Sequence, residues 1–445
     1  MRLLIIAYFY HPALTPRAFR WTAIAEQLAS RGFTVDVVCA AQQDLPAVQT
    51  VNGVHVHRVG GNARGNLRRW LGEEPIGAAP HKSGVSSSTS TSTSTSTVRG
   101  RIVVVLKEIY RQTLQKVMWP DFTGLWYFPA LKLARILMGQ KRYDVVVSVS
   151  VPFTGHLVGL ALRKYYPAAR WVVDVGDPFS FMNETPVNNH RLFSRLNYYA
   201  EQKVLEGADV VSVTTDETRT EYLRYFNEMD ADKITVIAPL FVPPTETGDD
   251  LPYFTVPNKT RMVFAGTLYK SIRNPAALLE LFNSLIGITV DRHIELHFFG
   301  AMNDCEWYFD KYKKMIGVNI FLHGLVPRET ALRAMKEATV LVNIGNSTSY
   351  QLPSKVVEYV MLGKPVLNIT KLSTDSSQNF FSGFTGICTV TEQGLIGNSA
   401  EVRRVRDFIQ DPPLISDSEV EKLSRIHSID AIVNSYIDLF QNKKN

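Results

Sequence analysis

Short apolar runs alternate with amphipathic segments along the chain, a pattern typical of α/β folds. Residues 3–7 form an apolar run, as in a buried parallel strand, and residues 17–31 have apolar side chains at helical spacing. Gly32 follows as a helix C-cap, and residues 34–39 form the next apolar run. This strand–helix–strand unit predicts the beginning of a doubly wound parallel sheet. Further strands in this half are predicted at 54–59, 145–149, 171–174, 210–214 and 233–237.

A second alternating series follows a stretch rich in proline and acidic residues, which is typical of a linker between domains. Its predicted strands are 262–265, 294–299, 320–323, 340–343 and 365–369, and its predicted helices are 275–285, 328–337 and 354–362. The sequence therefore predicts two Rossmann-like domains facing a central cleft. The predicted division is an N-terminal domain over 1–240, a linker over 241–258, a C-terminal domain over 259–425, and a C-terminal helix over 426–445 that returns to the N-domain.

An insertion rich in serine and threonine interrupts the first half. Residues 83–98 cannot bury enough apolar surface to offset the entropy of ordering, so they are predicted to be disordered. Residues 99–119 combine an apolar stripe with basic side chains, which indicates either an interfacial helix or an ordinary surface helix. Residues 58–142 carry 14 basic and 4 acidic side chains, a net charge of +10. This charge predicts an anionic partner, with a purely solvated basic face as the alternative.

Composition narrows the class of protein. The 445 residues are 45% hydrophobic and 20% charged, typical of a globular protein, and contain no apolar run long enough to cross a membrane. The three cysteines are far apart and in no metal-binding spacing, which favours reduced thiols and a cytoplasmic protein. No metal-binding, Walker or dinucleotide motif is present, and no nucleic-acid-binding motif accompanies the basic charge.

Residues 351–367, QLPSKVVEYVMLGKPVL, are the most specific stretch. Pro353 and Ser354 are typical of a helix start, where backbone N–H groups suit a phosphate. Lys355 and Glu358 are three residues apart and therefore share a helix face. Glu358 can accept two hydrogen bonds from the vicinal hydroxyls of a ribose. The alternative for these two residues is a surface ion pair.

This stretch resembles the donor-binding segment of the retaining family 4 glycosyltransferases, which have the GT-B fold. In that pattern two glutamates stand eight residues apart. Glu358 matches the second, which binds ribose, whereas Tyr350 stands where the first would contact the donor sugar. Gln351 is adjacent to that position. The form Pro-Ser-Lys-x-x-Glu-Tyr is similar to a subset of bacterial surface-polysaccharide transferases.

The resemblance extends to further segments of the predicted C-terminal domain. Residues 266–275 resemble a glycine-containing turn whose cations neutralise the donor diphosphate, which implies that role for Arg273 and Lys270, together with Ser354 at the helix start. Lys355 and Gln351 are assigned with Glu358 to the ribose and sugar. Residues 323–327 resemble the loop that contacts the nucleobase, which implies a contact by Val326. Exposed loop cations and an ordinary turn are the alternatives.

In the N-terminal domain, residues 171–179 resemble a strand end at which Asp177 takes the place of a histidine that contacts the donor sugar. His11 lies in a segment that resembles the first loop of the family. The resemblance therefore implies Asp177 and His11 as catalytic residues, with His156 as a further candidate. Asp174 is interpreted as structural. Arg17 and Arg20 are interpreted either as acceptor contacts or as first-turn helix residues.

The sequence thus predicts a cytoplasmic, retaining glycosyltransferase, peripheral on the inner face of the plasma membrane. Its donor is a UDP- or GDP-sugar, its acceptor a lipid-linked or other saccharide in surface-polysaccharide assembly, and it needs no cofactor, metal or nucleic acid. An anionic membrane surface is a further predicted partner. Two alternatives stay open: a sugar-nucleotide epimerase of similar fold, and a catalytically silent subunit that binds nucleotide-sugar.

Overall fold

The computed structural model describes residues 1–60, 118–242, 252–288 and 293–441. The predicted insertion at 83–98, nearly all of the predicted helix at 99–119 and much of the predicted linker lie outside these ranges. The described residues form two compact units, the first made of residues 1–214, 222–237 and the C-terminal segment from Val433, and the second of residues 215–221 and 238–432.

The first unit is built on an eight-stranded sheet in the order β3-β4-β2-β1-β5-β6-β7-β8. All neighbours are parallel except β3, which pairs antiparallel with β4 at one edge. The strands are β1 (Arg2–Ile6), β2 (Thr34–Ala40), β3 (Val48–Val51), β4 (Val54–Val59), β5 (Val145–Val149), β6 (Arg170–Asp174), β7 (Val210–Val213) and β8 (Ile234–Val236).

The second unit is built on a six-stranded parallel sheet in the order β11-β10-β9-β12-β13-β14. Its strands are β9 (Thr260–Ala265), β10 (Ile294–Phe299), β11 (Ile320–Gly324), β12 (Val340–Ile344), β13 (Val366–Thr370) and β14 (Ile387–Thr391). From the centre of the sheet, β9, β10 and β11 follow one another to one side, and β12, β13 and β14 to the other. This is the arrangement of a Rossmann sheet.

Thirteen helices are described besides short 3-10 segments. They are α1 (Pro16–Ser30), α2 (Tyr127–Gln140), α3 (Thr154–Tyr165), α4 (His190–Gly207), α5 (Asp216–Tyr225), α6 (Ala276–Ile288), α7 (Arg328–Glu337), α8 (Lys355–Met361), α9 (Ser376–Phe380), α10 (Glu392–Leu395), α11 (Ser399–Gln410), α12 (Asp417–His427) and α13 (Ile429–Gln441). The sequence predicted a single helix over 426–445, whereas the structure has the end of α12 followed by α13, which begins at Ile429. α12 ends at His427, and Ser428 caps the new helix through its hydroxyl, which accepts the Ala431 N–H at 3.2 Å.

Helices cover both faces of the second sheet. Met262 and Phe264 of β9 belong to a buried cluster that includes side chains of α6 and α11, whereas Val263 and Ala265 belong to a second cluster with α7 and α8. Successive residues of a strand point to opposite faces, so a continuous apolar run is what a sheet covered on both faces requires. This explains why the apolar runs predicted the strands well.

Candidate functional site

The loops after β9 and β12 adjoin each other at the point where the strand order of the second sheet reverses. In open parallel sheets, ligands bind in the crevice outside the carboxyl ends of two such strands. The two loops contact each other through side chains, because Nη2 of Arg273 donates to Oδ1 of Asn346 at 2.7 Å. The structure therefore brings the sequence-predicted Arg273 to the reversal point of the sheet.

Arg273 is held closely against the strand ends. A Cβ on Gly266, the first residue after β9, would lie 3.3 Å from Nη1 of Arg273. The neighbouring loop approaches just as tightly, since Gly300 has a φ of +133° and a Cβ there would collide with the carbonyl oxygen of Gly266. Glycine is required at 300 on both grounds, and the backbone of Gly266 lies directly against the guanidinium.

The guanidinium of Arg273 is only partly satisfied. Its Nε is buried and has no hydrogen-bond partner within the described part of the chain. Burial lowers the pKa of Arg273, because desolvation disfavours the charged form. A buried donor without a partner is costly, and an anion that accepts from Nε would remove that cost. The arrangement is suited to binding a phosphate group through the planar fork of arginine.

A polar network extends from Arg273 to Gln351. Asn346 donates through Nδ2 to the carbonyl oxygen of Gln351 at 2.8 Å, and the Ser376 hydroxyl donates to the same oxygen at 2.8 Å. The side chain of Gln351 accepts from Thr348 at 3.0 Å. The predicted sugar-binding residue Gln351 is thus linked to the predicted diphosphate cation by one intervening side chain.

Glu358 lies between two cations on α8 and α7. Nζ of Lys355 is 2.7 Å from Oε2, and Nη2 of Arg328 is 3.3 Å from Oε1. Glu358 keeps 14% of its side chain exposed. A carboxylate has about four acceptor positions, and the two cations donate three hydrogen bonds to Glu358, so a position remains for the ribose. The next residue, Tyr359, fixes the helix to the end of β9, because its hydroxyl accepts the N–H of Ala265 at 2.9 Å.

Three predicted site residues are not part of these contacts. Lys270 is exposed, with Nζ 5.5 Å from the ring centre of Trp307. Ser354 is also exposed, and its hydroxyl makes no cap for α8, a helix of only seven residues. Val326 packs half-buried against the apolar cluster beneath α7 and α8. The structure therefore joins Arg273 with Gln351 and Lys355 with Glu358.

In the first unit, a buried carboxylate at the end of β6 organises the residues around it. Asp174 is 1% exposed and forms an ion pair with Arg17. It also accepts hydrogen bonds from Nε1 of Trp21 at 2.6 Å and from the hydroxyls of Tyr436 at 2.6 Å and Ser212 at 2.8 Å. Asp174 thus joins α1, β6, β7 and the C-terminal helix, which agrees with the interpretation of this residue as structural.

Arg20 has a structural environment as well. It is 7% exposed and donates to the carbonyl oxygen of Ile237 and to the Tyr436 hydroxyl, both at 3.4 Å. Burial against Tyr436 therefore favours the alternative interpretation of Arg20, that of a first-turn helix residue with a structural role. Arg17 is more accessible, since its side chain keeps 15% exposure although it pairs with Asp174.

The predicted catalytic residues of the first unit occupy contrasting environments. Asp177 is half-buried and directly follows Gly176, against which the Arg17 side chain lies. His11 is exposed, and its backbone N–H donates to the Thr22 hydroxyl at 3.2 Å. His156 is buried with Nδ1 2.9 Å from the Ser148 hydroxyl, and burial lowers its pKa to about 3. His156 is therefore neutral at physiological pH.

Sequence reasoning missed two residues that shape the second-unit site. Asn346 closely follows the buried strand β12, and a polar residue near a strand end beside the reversal point was the available signal. Arg328, the first residue of α7, pairs with Glu358 across 30 positions of sequence, and no local pattern indicates that pair.

Within the described ranges, no group of three or more histidine, cysteine or acidic side chains is placed to hold a metal. No described helix is long and apolar enough to span a membrane.

Comparison with known proteins agrees with this architecture. Residues 87–239 match the family model described as a glycosyl transferase 4-like domain. No curated protein sequence matches this chain significantly. The fold is similar to that of sucrose-phosphate synthase from Thermosynechococcus elongatus, with a TM-score of 0.66, 13% identity, and coverage of 99% of this chain and 98% of that chain.

Two further solved structures have the same fold. The catalytic domain of Starch Synthase IV from Arabidopsis thaliana, solved with ADP and acarbose bound, has a TM-score of 0.59 and 10% identity, covering 99% of this chain and 98% of that chain. A lipopolysaccharide outer core galactosyltransferase has a TM-score of 0.53 and 13% identity, covering 98% of both chains. The predicted α/β fold of GT-B type with two Rossmann-like units is confirmed. The fold and the family match together support a glycosyltransferase of the GT-B type.

Proposed function

We propose that this chain is a retaining glycosyltransferase that moves a sugar from a UDP- or GDP-sugar to a lipid-linked saccharide acceptor in surface-polysaccharide assembly. The observation that carries the donor part is the buried Nε of Arg273, a donor without a partner among the described residues at the reversal point of the second sheet. In this proposal the donor diphosphate accepts from Arg273, and Glu358 accepts from the ribose hydroxyls. Starch Synthase IV binds ADP on a similar fold, and a nucleoside diphosphate is the ligand class proposed here.

The proposed chemistry depends on electrostatic stabilisation of the leaving diphosphate. The guanidinium of Arg273 lies against the backbone of Gly266 and is held by Asn346, so it is already oriented before charge develops. Such preorganised groups contribute most to stabilising a developing charge. Retention follows from the resemblance, in which the acceptor hydroxyl attacks the face that the diphosphate leaves. Asp177 and His11 stay predicted as the residues near the reacting sugar. We propose that the reaction needs no metal, because the cationic site can offset the charge of the diphosphate.

We expect Glu358→Ala to weaken the binding of UDP or GDP. The loss of charge-assisted hydrogen bonds to ribose should cost about 1.5–3 kcal/mol, which is roughly a 10- to 150-fold rise in Kd. Isothermal titration calorimetry measures this directly. Glu401→Ala is a matched control, because Glu401 also pairs with an arginine in the same unit but belongs to α11. An unchanged Kd in the Glu358 variant would remove this residue from the site.

The surface of α2 supports a membrane-bound acceptor. Leu125, which lies just before α2, and Phe128 expose 72% and 68% of their surface, and Ile136 exposes 47%. Phe128 and Ile136 line a shallow groove together with Lys132 and Arg135. Apolar side chains interspersed with cations are typical of a surface that lies on anionic lipid. The helix belongs to the basic region 58–142, and so do the five cations between residues 99 and 116 that lie outside the described ranges.

We expect the protein to float with liposomes in proportion to their anionic lipid content. Each basic side chain near such a surface contributes about 1 kcal/mol, and this contribution falls with salt. Flotation should drop when five cations are made neutral together, namely Arg99, Arg101, Lys107, Arg111 and Lys116. A Phe128→Ser variant tests the apolar part, which should be insensitive to salt. Equal flotation with neutral and anionic liposomes, or none with either, would contradict membrane docking.

Product analysis separates the proposal from its two alternatives. The protein is incubated with labelled UDP- and GDP-sugars, with and without a membrane lipid extract. A glycosyltransferase yields a labelled lipid product only when the extract is present. An epimerase converts the donor sugar without the extract, and a silent subunit leaves the donor unchanged although it binds it. Tyr350 in place of the first glutamate is the feature that supports the silent subunit.

A further inference from the structure

A buried carboxylate beside the proposed donor site has an oxygen without a partner. Asp375 lies after β13, in front of the short helix α9, and is 0% exposed. Its Oδ1 accepts the backbone N–H of Ser377 at 2.7 Å and also the Ser377 hydroxyl. Its Oδ2 is buried and has no hydrogen-bond donor anywhere in the described ranges. The carboxyl group is therefore held by one oxygen and unsatisfied at the other.

Oδ2 of Asp375 occupies the space in which a side chain would lie if residue 345 were not glycine. Gly345 is the first residue after β12, and its N–H donates to the carbonyl oxygen of Ile369 at 2.8 Å. A Cβ on Gly345 would collide with Oδ2 of Asp375. Oδ2 thus lies over the Cα of Gly345, and the following residue is Asn346, which holds Arg273. The unsatisfied acceptor and the unsatisfied Nε of Arg273 flank the same loop.

Other carboxylates near these strand ends are already engaged. Asp304 accepts the Lys270 N–H at 3.0 Å, and the acceptor capacity that Glu358 keeps beside Lys355 and Arg328 is assigned to the ribose in the proposed function. Tyr350 provides no carboxylate at the position where the resemblance has one. Burial raises the pKa of Asp375 above its ordinary value, with the positive charge of Arg273 opposing the shift. An unsatisfied buried oxygen costs free energy, and a hydroxyl that donates to it would remove that cost.

We propose that Asp375, with Gly345, forms a subsite that accepts a hydrogen bond from a hydroxyl of the donor sugar, next to the diphosphate held by Arg273. This inference rests on the proposed function and adds a specificity-determining residue to it. The chemical class of its ligand is a hydroxylated sugar attached to a nucleoside diphosphate. The free nucleoside diphosphate has no sugar at this position, so it should bind independently of Asp375.

Calorimetry with two matched pairs of probes tests the subsite. UDP is compared with UDP-glucose, and GDP with GDP-mannose, on the full-length protein. Asp375→Asn preserves the acceptor for Ser377 and replaces Oδ2 by an NH₂ group. We expect this variant to raise the Kd of whichever nucleotide-sugar binds the wild type by about tenfold, which is the effect of losing one charge-assisted hydrogen bond. The Kd of the nucleoside diphosphate should change by no more than about twofold. Gly345→Ala places a methyl group against Oδ2 and should act in the same direction.

The controls distinguish the possible outcomes. Asp407→Asn alters an exposed ion pair of α11 in the same unit and should change neither affinity. Circular dichroism and thermal unfolding establish that each variant is folded, and Gly345→Ala serves as the test if Asp375→Asn is not. An equal loss for sugar-bearing and sugar-free probes would overturn the proposal in favour of a structural role. If the variant loses affinity for neither kind of probe, the proposal is overturned, and Oδ2 of Asp375 then faces only water. Failure of the wild type to bind any probe would instead contradict the proposed function itself.

Discussion

Arg273→Gln is expected to remove most of the affinity for the donor. Charge-assisted hydrogen bonds from the guanidinium to diphosphate oxygens are each worth about 1.5–3 kcal/mol, so UDP or GDP should bind roughly 10- to 150-fold more weakly. The rate of transfer should fall further, by about 10²–10³, because the charge on the leaving diphosphate grows in the transition state. Calorimetry measures the first effect, and labelled-product formation measures the second.

Two further variants make the Arg273 result specific. Arg273→Lys keeps the charge but loses the planar fork, so it should recover part of the affinity. Lys270→Gln removes the other predicted diphosphate cation, which is exposed over Trp307, and should have the smaller effect. If Arg273→Gln and wild type bind UDP and GDP equally, the diphosphate does not lie at the reversal point of the second sheet.

The second large expected effect concerns stability. Asp174→Asn should destabilise the first unit by about 3–5 kcal/mol, because removing one member of a buried ion pair leaves the other charge uncompensated. The carboxylate is 1% exposed and accepts from Trp21, Ser212 and Tyr436 as well as from Arg17. Urea unfolding followed by tryptophan fluorescence measures the loss. Asp209→Asn is the control, since Asp209 pairs with Arg163 in the same unit but keeps 27% of its side chain exposed.

The pH dependence of that stability has a definite sign. Burial alone would raise the pKa of Asp174, but the charges of Arg17 and Arg20 and the hydrogen bonds from Tyr436 and Trp21 outweigh it, so the pKa lies below its ordinary value. A carboxylate with a lowered pKa in the folded state contributes stability above its unfolded pKa of about 3.9 and loses it as the pH falls further. We therefore expect the difference in the free energy of unfolding between wild type and Asp174→Asn to shrink below about pH 4. A difference that grows on acidification would contradict the assignment of this carboxylate as ionised.

The strands were predictable because burial on both faces leaves continuous apolar runs. β4, β5 and β10 have the bounds that their apolar patterns predict. The edge strand β3 was missed because its residues are mostly exposed, with Val48 at 64%, so its sequence carries no core signal. α4 was missed as well, since its middle is rich in polar and aromatic residues. Its ends are nevertheless marked by the Asn189 cap and by Gly207.

The site was predictable where one loop carries the signal and unpredictable where distant segments meet. Arg273 lies in a turn recognisable from its own sequence, and Lys355 and Glu358 pair through helical spacing. The contact between Arg273 and Asn346 spans 73 positions, and that between Asp174 and Tyr436 spans 262. Both result from the order of strands and the path of the C-terminal helix, which no local pattern encodes. The burial of Arg20 by Tyr436 escaped prediction for the same reason.

A crystal structure with UDP or GDP bound tests the central claim most directly. The account predicts that the diphosphate lies outside the carboxyl ends of β9 and β12, within hydrogen-bond distance of Arg273, with the ribose hydroxyls donating to Glu358. The Nε of Arg273, which has no partner among the described residues, should then donate to a phosphate oxygen. A nucleotide bound elsewhere on the chain, with Arg273 and Glu358 still in their present contacts, would contradict it.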